Sequence, residues 1–221
     1  MGDPTDITIE DTVEKPRLSH TKATRNDWLT AARDRLVSAG VGDVKILTLA
    51  QHLGVARSSF YWYFADRADL LDALLADWEA RNTRCIVEKC EQPAKSISEA
   101  LCNFFACFVD PQLFDHGLDF AIREWSRRDT ELRQRVDAAD TARIASVTAM
   151  FVNHGYETQD ADARARILYF MQLGYHALEV NEPMDIRMSR IEGYLLGFTG
   201  RPADNLAVEE FKNFALSLGL T

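Results

Sequence analysis

The sequence predicts an all-α protein, and three observations carry that prediction. From Thr24 almost to the end, apolar residues recur at helical spacing. β-branched alternation is scarce, and no Asn-Gly or Asp-Gly hairpin pair occurs. Capping and stop residues cut the chain into segments of helix length. Residues 1–20 lack apolar periodicity and contain Pro4 and Pro16, so they read as a flexible arm, acidic and then basic.

The first helix is expected over Arg25–Ala39. Thr24 is its N-cap, Trp28, Leu29, Ala32 and Leu36 form its apolar stripe, and Gly40 stops it. A second helix spans Ile46–Leu53, with Ile46, Leu49, Ala50 and Leu53 inward and Gly54 at its end. Val55 and Ala56 make a turn, and a third helix covers residues 57–64. Asp66 and Asp69 cap a long helix over 67–89, whose stripe is Leu70, Leu71, Leu74, Leu75 and Trp78. Further helices are expected over 96–109, 118–128, 130–153, 160–180, 186–198 and 208–218. The chain thus divides into an arm (1–20), a small three-helix domain (21–66) and a larger helical bundle (67–221).

A chain of 221 residues with 47% hydrophobic content can bury a sizeable core. The acidic N-terminus lacks the basic start and apolar stretch of a signal peptide, and no apolar run would span a bilayer. A cytoplasmic protein is expected. Cys85, Cys90, Cys102 and Cys107 form no C-x-x-C pair and read most simply as small buried or half-buried apolar residues. A thiol sensor is the alternative, although nothing in the sequence predicts a lowered thiol pKa.

The net charge of −9 argues at first against a nucleic-acid partner. Its distribution reverses that argument. Residues 15–67 hold nine Lys/Arg and four Asp/Glu, a local excess of +5. The acidic remainder would be repelled by phosphates and would turn the basic block towards them.

That block contains two short helices joined by a Gly-containing turn, the core of a helix-turn-helix. In such a motif the second helix offers its side chains to the DNA major groove. Arg57 carries a forked donor set that matches guanine O6 and N7. Ser58 and Ser59 are short hydrogen-bonding groups that permit close backbone approach. Phe60 and Phe64, four apart, take the inward face, leaving Tyr61, Trp62 and Tyr63 for the DNA. Exposed Tyr hydroxyls suit phosphate contacts, which position a protein without reading sequence.

Here the sequence resembles a family. Residues 24–75 are similar to the N-terminal domain of TetR/AcrR-type transcriptional regulators. The similarity lies in Arg25, Ala31-Ala32, Gly40, Ile46, Leu49-Ala50, Leu53-Gly54-Val55, Ser59-Phe60-Tyr61-Trp62-Tyr63-Phe64 and Leu70-Leu71. It covers about a quarter of the chain; beyond it only the helical layout is similar. The resemblance implies a homodimer of all-helical protomers on a near-palindromic double-stranded operator, usually repressing and released by a ligand in the C-terminal domain. It makes Arg57, Ser58, Ser59 and Trp62 base-proximal, and Tyr61, Tyr63 and Arg67 phosphate contacts. Lys45 departs from the family, which often has a small hydroxyl residue there capping the second helix. Lysine could still reach a phosphate, and Asp43 could cap instead. Arg35 occupies a commonly apolar position and could snorkel along the core edge.

The larger domain is aromatic-rich. Phe104, Phe105, Phe108, Phe114, Phe120, Trp125, Met150, Phe151, Tyr169, Phe170 and Met171 either fill an ordinary core or line the ligand cavity that the resemblance implies. Such a cavity suits a small, mostly apolar effector, with Arg123, Glu124, Tyr175 and His176 as candidate polar groups. His176 reads more readily as an interior or interface residue than as a metal ligand. The resemblance also implies a four-helix dimer interface. Ala161, Ala165, Leu168, Gln172 and Tyr175 would supply it from one helix, Leu195 and Leu196 from the next. No cofactor and no metal are expected. The sequence has no G-x-S-x-G elbow, P-loop or H-E-x-x-H, and Gly40-Val41-Gly42 lacks the strand context of a dinucleotide site. An enzyme is not expected. The alternative is a helical small-molecule-binding or interaction protein that keeps the scaffold without DNA function; an activator is also open.

Overall fold

The structure, a computed structural model, describes residues 23–219, so the expected arm over 1–20 lies outside the described residues. The described residues form helices without strands. They are α1 (Arg25–Ala39), α2 (Ile46–Leu53), a 3₁₀ helix (Arg57–Trp62), α3 (Arg67–Trp78), a π turn (Glu79–Thr83) and α4 (Arg84–Glu91). Then follow α5 (Ile97–Val109), α6 (His116–Ser126), α7 (Thr130–Asn153) and α8 (Thr158–Ala177). Last come α9 (Met184–Ser189), α10 (Ile191–Thr199) and α11 (Asn205–Ser217).

Local chemistry explains most boundaries. Thr24 caps α1 with a full capping box: its Oγ1 accepts from the Asp27 amide, and its own amide donates to the Asp27 carboxylate at 2.7 Å. Asp66, Ser96, Asp115, Asp129 and Asp204 accept first-turn amides in the same way for α3, α5, α6, α7 and α11. Gly54 ends α2 in the left-handed conformation that an L side chain adopts only with strain.

Two expectations need correction. The long helix after Asp66 is not uniform, because a π turn interrupts it just beyond Trp78. The extra residue turns Trp78, Asn82 and Ile86 into the interior together, where all three are fully buried. The expected helix over 186–198 is two helices broken at Arg190. The break lets Met184 and Met188 from α9 join Ile191 and Leu195 from α10 in one core.

The interior holds two apolar clusters. The first gathers Trp28, Leu36, Leu49, Phe60, Phe64, Leu70, Leu74 and Trp78 of the N-terminal elements. It also takes Leu118 and Ile122 from α6 and Leu132 and Val136 from α7. The N-terminal core therefore runs past residue 66 to Trp78 and is roofed by the larger domain. Gly117 allows α6 to lie against α1, since a Cβ there would stand 3.1 Å from Val37 Cγ1. The second cluster joins α4, α5, the C-terminal half of α7, and α8 to α11.

A buried polar network lies between the clusters. Trp78 Nε1 donates to Asp119 at 2.7 Å, and Arg143 Nη1 pairs with the same carboxylate at 3.0 Å. Arg123 bridges Asp119 to Asp140 with two-pronged geometry, and the Tyr169 hydroxyl donates to Asp140 at 2.6 Å. Arg143 Nε donates to Thr83, and Asn82 exchanges two hydrogen bonds with the Asp115 backbone, so the π turn is held from both sides. Burial alone would raise the Asp119 pKa, but the charges of Arg143 and Arg123 outweigh it and bring it down to about 2.

Removing one partner of such a pair leaves a buried charge uncompensated. Asp119→Ala is expected to cost about 3–5 kcal/mol by urea unfolding at neutral pH. The native carboxylate is held below its unfolded value, so its contribution is full above about pH 4. The deficit of the variant should therefore shrink as pH falls from 4 towards 2.

Candidate nucleic-acid interface and effector cavity

The second half of the helix-turn-helix is anchored by its phenylalanines. Phe60 is fully buried, edge-on to Trp28 at 5.2 Å, and stacks on the buried Phe64 at 5.4 Å. The expected α-helix over 57–64 is instead a 3₁₀ helix over Arg57–Trp62. Ser59 explains the tighter winding: its amide and its hydroxyl both bond the Ala56 carbonyl, at 3.0 and 2.7 Å. That hydroxyl competes for the carbonyl that an α-helix would offer four residues on. Three residues per turn then bring Phe60 inward while the remaining side chains stay on the surface.

Arg57 and Ser58 are exposed, Ser59 and Tyr63 are half-buried, and Tyr61 and Trp62 are 49% and 65% exposed. Arg57 Nη2 donates to the Tyr61 hydroxyl at 3.2 Å, so the guanidinium is already steered by its neighbour. Lys45 is exposed at the start of α2 and pairs with Asp43 at 3.0 Å. Asp43 does not cap α2, whose N-terminus has no side-chain cap. Arg67 differs most from expectation. Its guanidinium donates to the Val44 carbonyl at 2.6 Å and to the Val41 carbonyl, tying down the loop before α2. Arg35 is half-buried, in keeping with an edge position.

In the larger domain one apolar cavity of about 50 Å³ lies between α5, α8, α9, α10 and α11. Of the residues expected there, the structure brings Phe105, Phe108, Met171 and Tyr175 to its wall. Phe104, Met150 and Phe151 are fully packed core. Phe120 and Trp125 sit on α6, and Trp125 packs against the N-terminal cluster. Arg123 belongs to the buried ion network, Glu124 pairs with Arg127 on the surface, and Phe170 is 53% exposed. None of these eight lines this cavity. Glu182, Arg187, Met188 and Ile191 line it instead. Sequence reasoning missed them because Glu182 lies in the loop before Pro183 and the other three lie in a segment read as one helix rather than as α9 and α10.

The polar groups of the cavity are Gln172, Glu182, Arg187, Tyr194 and the Tyr175 hydroxyl, which is buried without a hydrogen-bond partner. Arg187 lies over the Tyr175 ring at 5.0 Å. His176 is an interior residue stacked on His116 at 3.6 Å, its Nε2 2.6 Å from Gln172 Nε2. Burial, His116 and Arg187 push His176 down to about 3, so its imidazole is neutral at pH 7.

The helix face expected at a dimer interface points the other way. Ala161, Ala165, Leu168 and Leu195 are fully buried within the protomer, and Gln172 is buried beside them. Tyr175 turns to the cavity, and of the residues expected there Leu196 is the one largely exposed. The outward stripe of α8 is Ile167 and Phe170, continued by Leu178 just past its end, exposed by 61%, 53% and 78%. Beside it, α10 presents Tyr194 and Leu196, with open space over Gly193 and Gly197.

Comparison with known proteins agrees with this architecture. Residues 29–74 match the family model of bacterial regulatory proteins, tetR family. No curated protein matches the chain. Among solved structures, a TetR-family transcriptional regulator from Marinobacter aquaeolei VT8 is similar with a TM-score of 0.62 and 12% identity, covering 88% of this chain and 98% of that one. AmtR of Mycobacterium smegmatis is similar at 0.56 and 20% identity, over 94% and 99% of the two chains. The fatty acid degradation regulator FadR of Bacillus halodurans is similar at 0.56 and 17% identity, over 78% and 94%. The fold and the motif together define an all-helical protein with a helix-turn-helix near the start of its described residues. Within that class the chain is similar to the tetR family over residues 29–74.

The geometry separates the two basic residues flanking the motif. Arg67→Gln should lower stability by about 1–3 kcal/mol in urea unfolding, because buried carbonyls lose a charged donor. Lys45→Gln, on an exposed side chain, should change stability by less than about 0.5 kcal/mol.

Proposed function

We propose that the protein is a sequence-specific transcriptional regulator, a homodimeric repressor that leaves a near-palindromic operator when a small, mostly apolar effector binds. One observation carries the reading. A short helix locked from below by Phe60 and Phe64 keeps Arg57, Ser58, Tyr61 and Trp62 on its outer surface. Arg57, Ser58, Ser59 and Trp62 face the bases; Lys45, Tyr61 and Tyr63 meet phosphates, and Arg67 reaches them only with donors its carbonyl bonds leave over. The Arg57–Tyr61 hydrogen bond limits the rotamer freedom that binding would otherwise remove.

The dimer would form on α8 and α10. Large exposed apolar side chains in a stripe mark an interaction surface. Glycines in an exposed helix cost about 1 kcal/mol each relative to alanine, a cost that close approach of a second helix can offset. A twofold contact also places two reading helices about 34 Å apart, one DNA turn. The effector would occupy the cavity beside Tyr175. At about 50 Å³ the cavity is smaller than the roughly 300 Å³ of a typical ligand site, so binding requires movement. The six-residue helix α9 is the smallest element around it. Movement there would reach the N-terminal domain through α8 and the Tyr169 end of the ion network.

Three outcomes test this reading. Arg57→Ala should cost about 1–3 kcal/mol on the operator, with little loss on random DNA, in titrations at fixed salt. Tyr61→Phe should weaken binding to every sequence, with a further loss on the operator because Arg57 loses its hydrogen-bond partner; unchanged binding to random DNA would contradict a phosphate role. Phe170→Asp should shift the protein to monomer in sedimentation and weaken operator binding with it; an unchanged dimer would place the interface elsewhere. The first probe is DNA flanking the protein's own gene, and failure to bind it or a random library would favour a binding protein without DNA function.

A further inference from the structure

The four cysteines are all buried, yet they are not equivalent. Cys85 on α4 and Cys107 on α5 face one another with their sulfurs 2.9 Å apart, in S–H···S contact. A disulfide is about 2.05 Å long, so closing this gap needs a movement of about 0.9 Å. Cys107 is fully enclosed, whereas Cys85 also lines a surface cleft with Glu88, Lys89, Glu91, Gln92 and Leu113. One thiol of the pair is therefore reachable from solvent, and the other sits directly behind it.

We propose that Cys85 and Cys107 are an oxidation site, in which a hydroperoxide entering the cleft oxidises Cys85 and Cys107 then closes an intramolecular disulfide. The Cys85 thiolate attacks the peroxide, the O–O bond breaks, and the departing alkoxide takes up the proton that the Cys85 thiol gave up, leaving as an alcohol (water, from hydrogen peroxide). Cys85 is then a sulfenic acid. The Cys107 sulfur attacks it, the S–O bond breaks, and the departing hydroxide takes the Cys107 proton away as water. Two thiols and one hydroperoxide thus give one disulfide, one alcohol and one water.

The electrostatics match this order of events. The S–H of Cys107 beside it holds the Cys85 thiol below its usual pKa against burial; the Lys89 ammonium adds to this, and the Glu88 and Asp110 carboxylates oppose it. The same contact, with burial, holds Cys107 far above its usual value, as suits a thiol that reacts second. Burial pushes Cys90 and Cys102 up to about 12, which leaves them unreactive. The bond would have a mechanical consequence. Through the π turn α4 continues α3, which packs in the N-terminal core, and α5 carries Phe105 and Phe108 of the cavity wall. Oxidation would staple these two helices together, whether or not the protein binds DNA.

The test uses the reduced full chain, exposed to a small molar excess of hydrogen peroxide. Remaining thiols are then blocked with N-ethylmaleimide in denaturant and the peptides are mapped without reduction. One linked peptide pair, Cys85 to Cys107, is expected, with Cys90 and Cys102 alkylated. Linkage to Cys90 or Cys102, an intermolecular bond, or four alkylated cysteines would overturn the proposal. In Cys107→Ser, dimedone should capture a sulfenic acid on Cys85; in Cys85→Ser, Cys107 should stay a thiol. Dimedone on Cys107 in the second variant would refute the assignment of Cys85 as the attacked thiol. The peptide map of the native chain is decisive even where a variant fails to fold.

Discussion

The structure depends on one buried ion pair. Asp119 and Arg143 are fully enclosed, and neither could be there alone, because an isolated charge in such surroundings costs far more than a fold can spare. Asp119 accepts from Trp78 at the end of α3, and Arg143 donates from Nε to Thr83 of the π turn and from Nη1 to Tyr169 on α8, while its Nη2 is buried without a partner. The pair stands where the two apolar clusters meet. It fixes the larger domain against the helix that leaves the helix-turn-helix, so a change on α8 has a polar route to Trp78 and the N-terminal core.

The 3₁₀ helix at Arg57–Trp62 shows how far local chemistry reaches. The spacing of Phe60 and Phe64 was legible as an inward face, and both are buried. The exposure of Tyr61 and Trp62 followed by exclusion. The 3₁₀ winding was not legible, because it comes from the Ser59 hydroxyl competing for one backbone carbonyl while the phenylalanines are pulled against Trp28. Arg67 gave no sign in the sequence that its guanidinium would hold the loop before α2, since Val41 and Val44 lie more than twenty residues away.

The larger domain was less readable for a definite reason. α8 carries two apolar stripes, one through Ala161, Ala165 and Leu168 and the other through Ile167 and Phe170, continued by Leu178 just past its end. Helical periodicity finds both and ranks neither, because the alternatives differ only in what covers them. The cavity posed the same difficulty. Aromatic content marked α5 correctly, but part of the polar wall comes from Glu182 and Arg187, in the loop before α9 and on α9 itself.

By itself, the sequence determined the all-helical class, nearly all the helices, the caps at Thr24 and Asp66, and the location of the helix-turn-helix, since these rest on interactions within a few residues of one another. Tertiary structure alone decided which stripe of α8 faces inward, which side chains wall the cavity, that Arg67 braces a loop, and that Cys85 meets Cys107. Each of those outcomes depends on contacts between residues distant in the chain. Helical spacing repeats the same pattern on every face, and only packing against a partner element distinguishes one face from another.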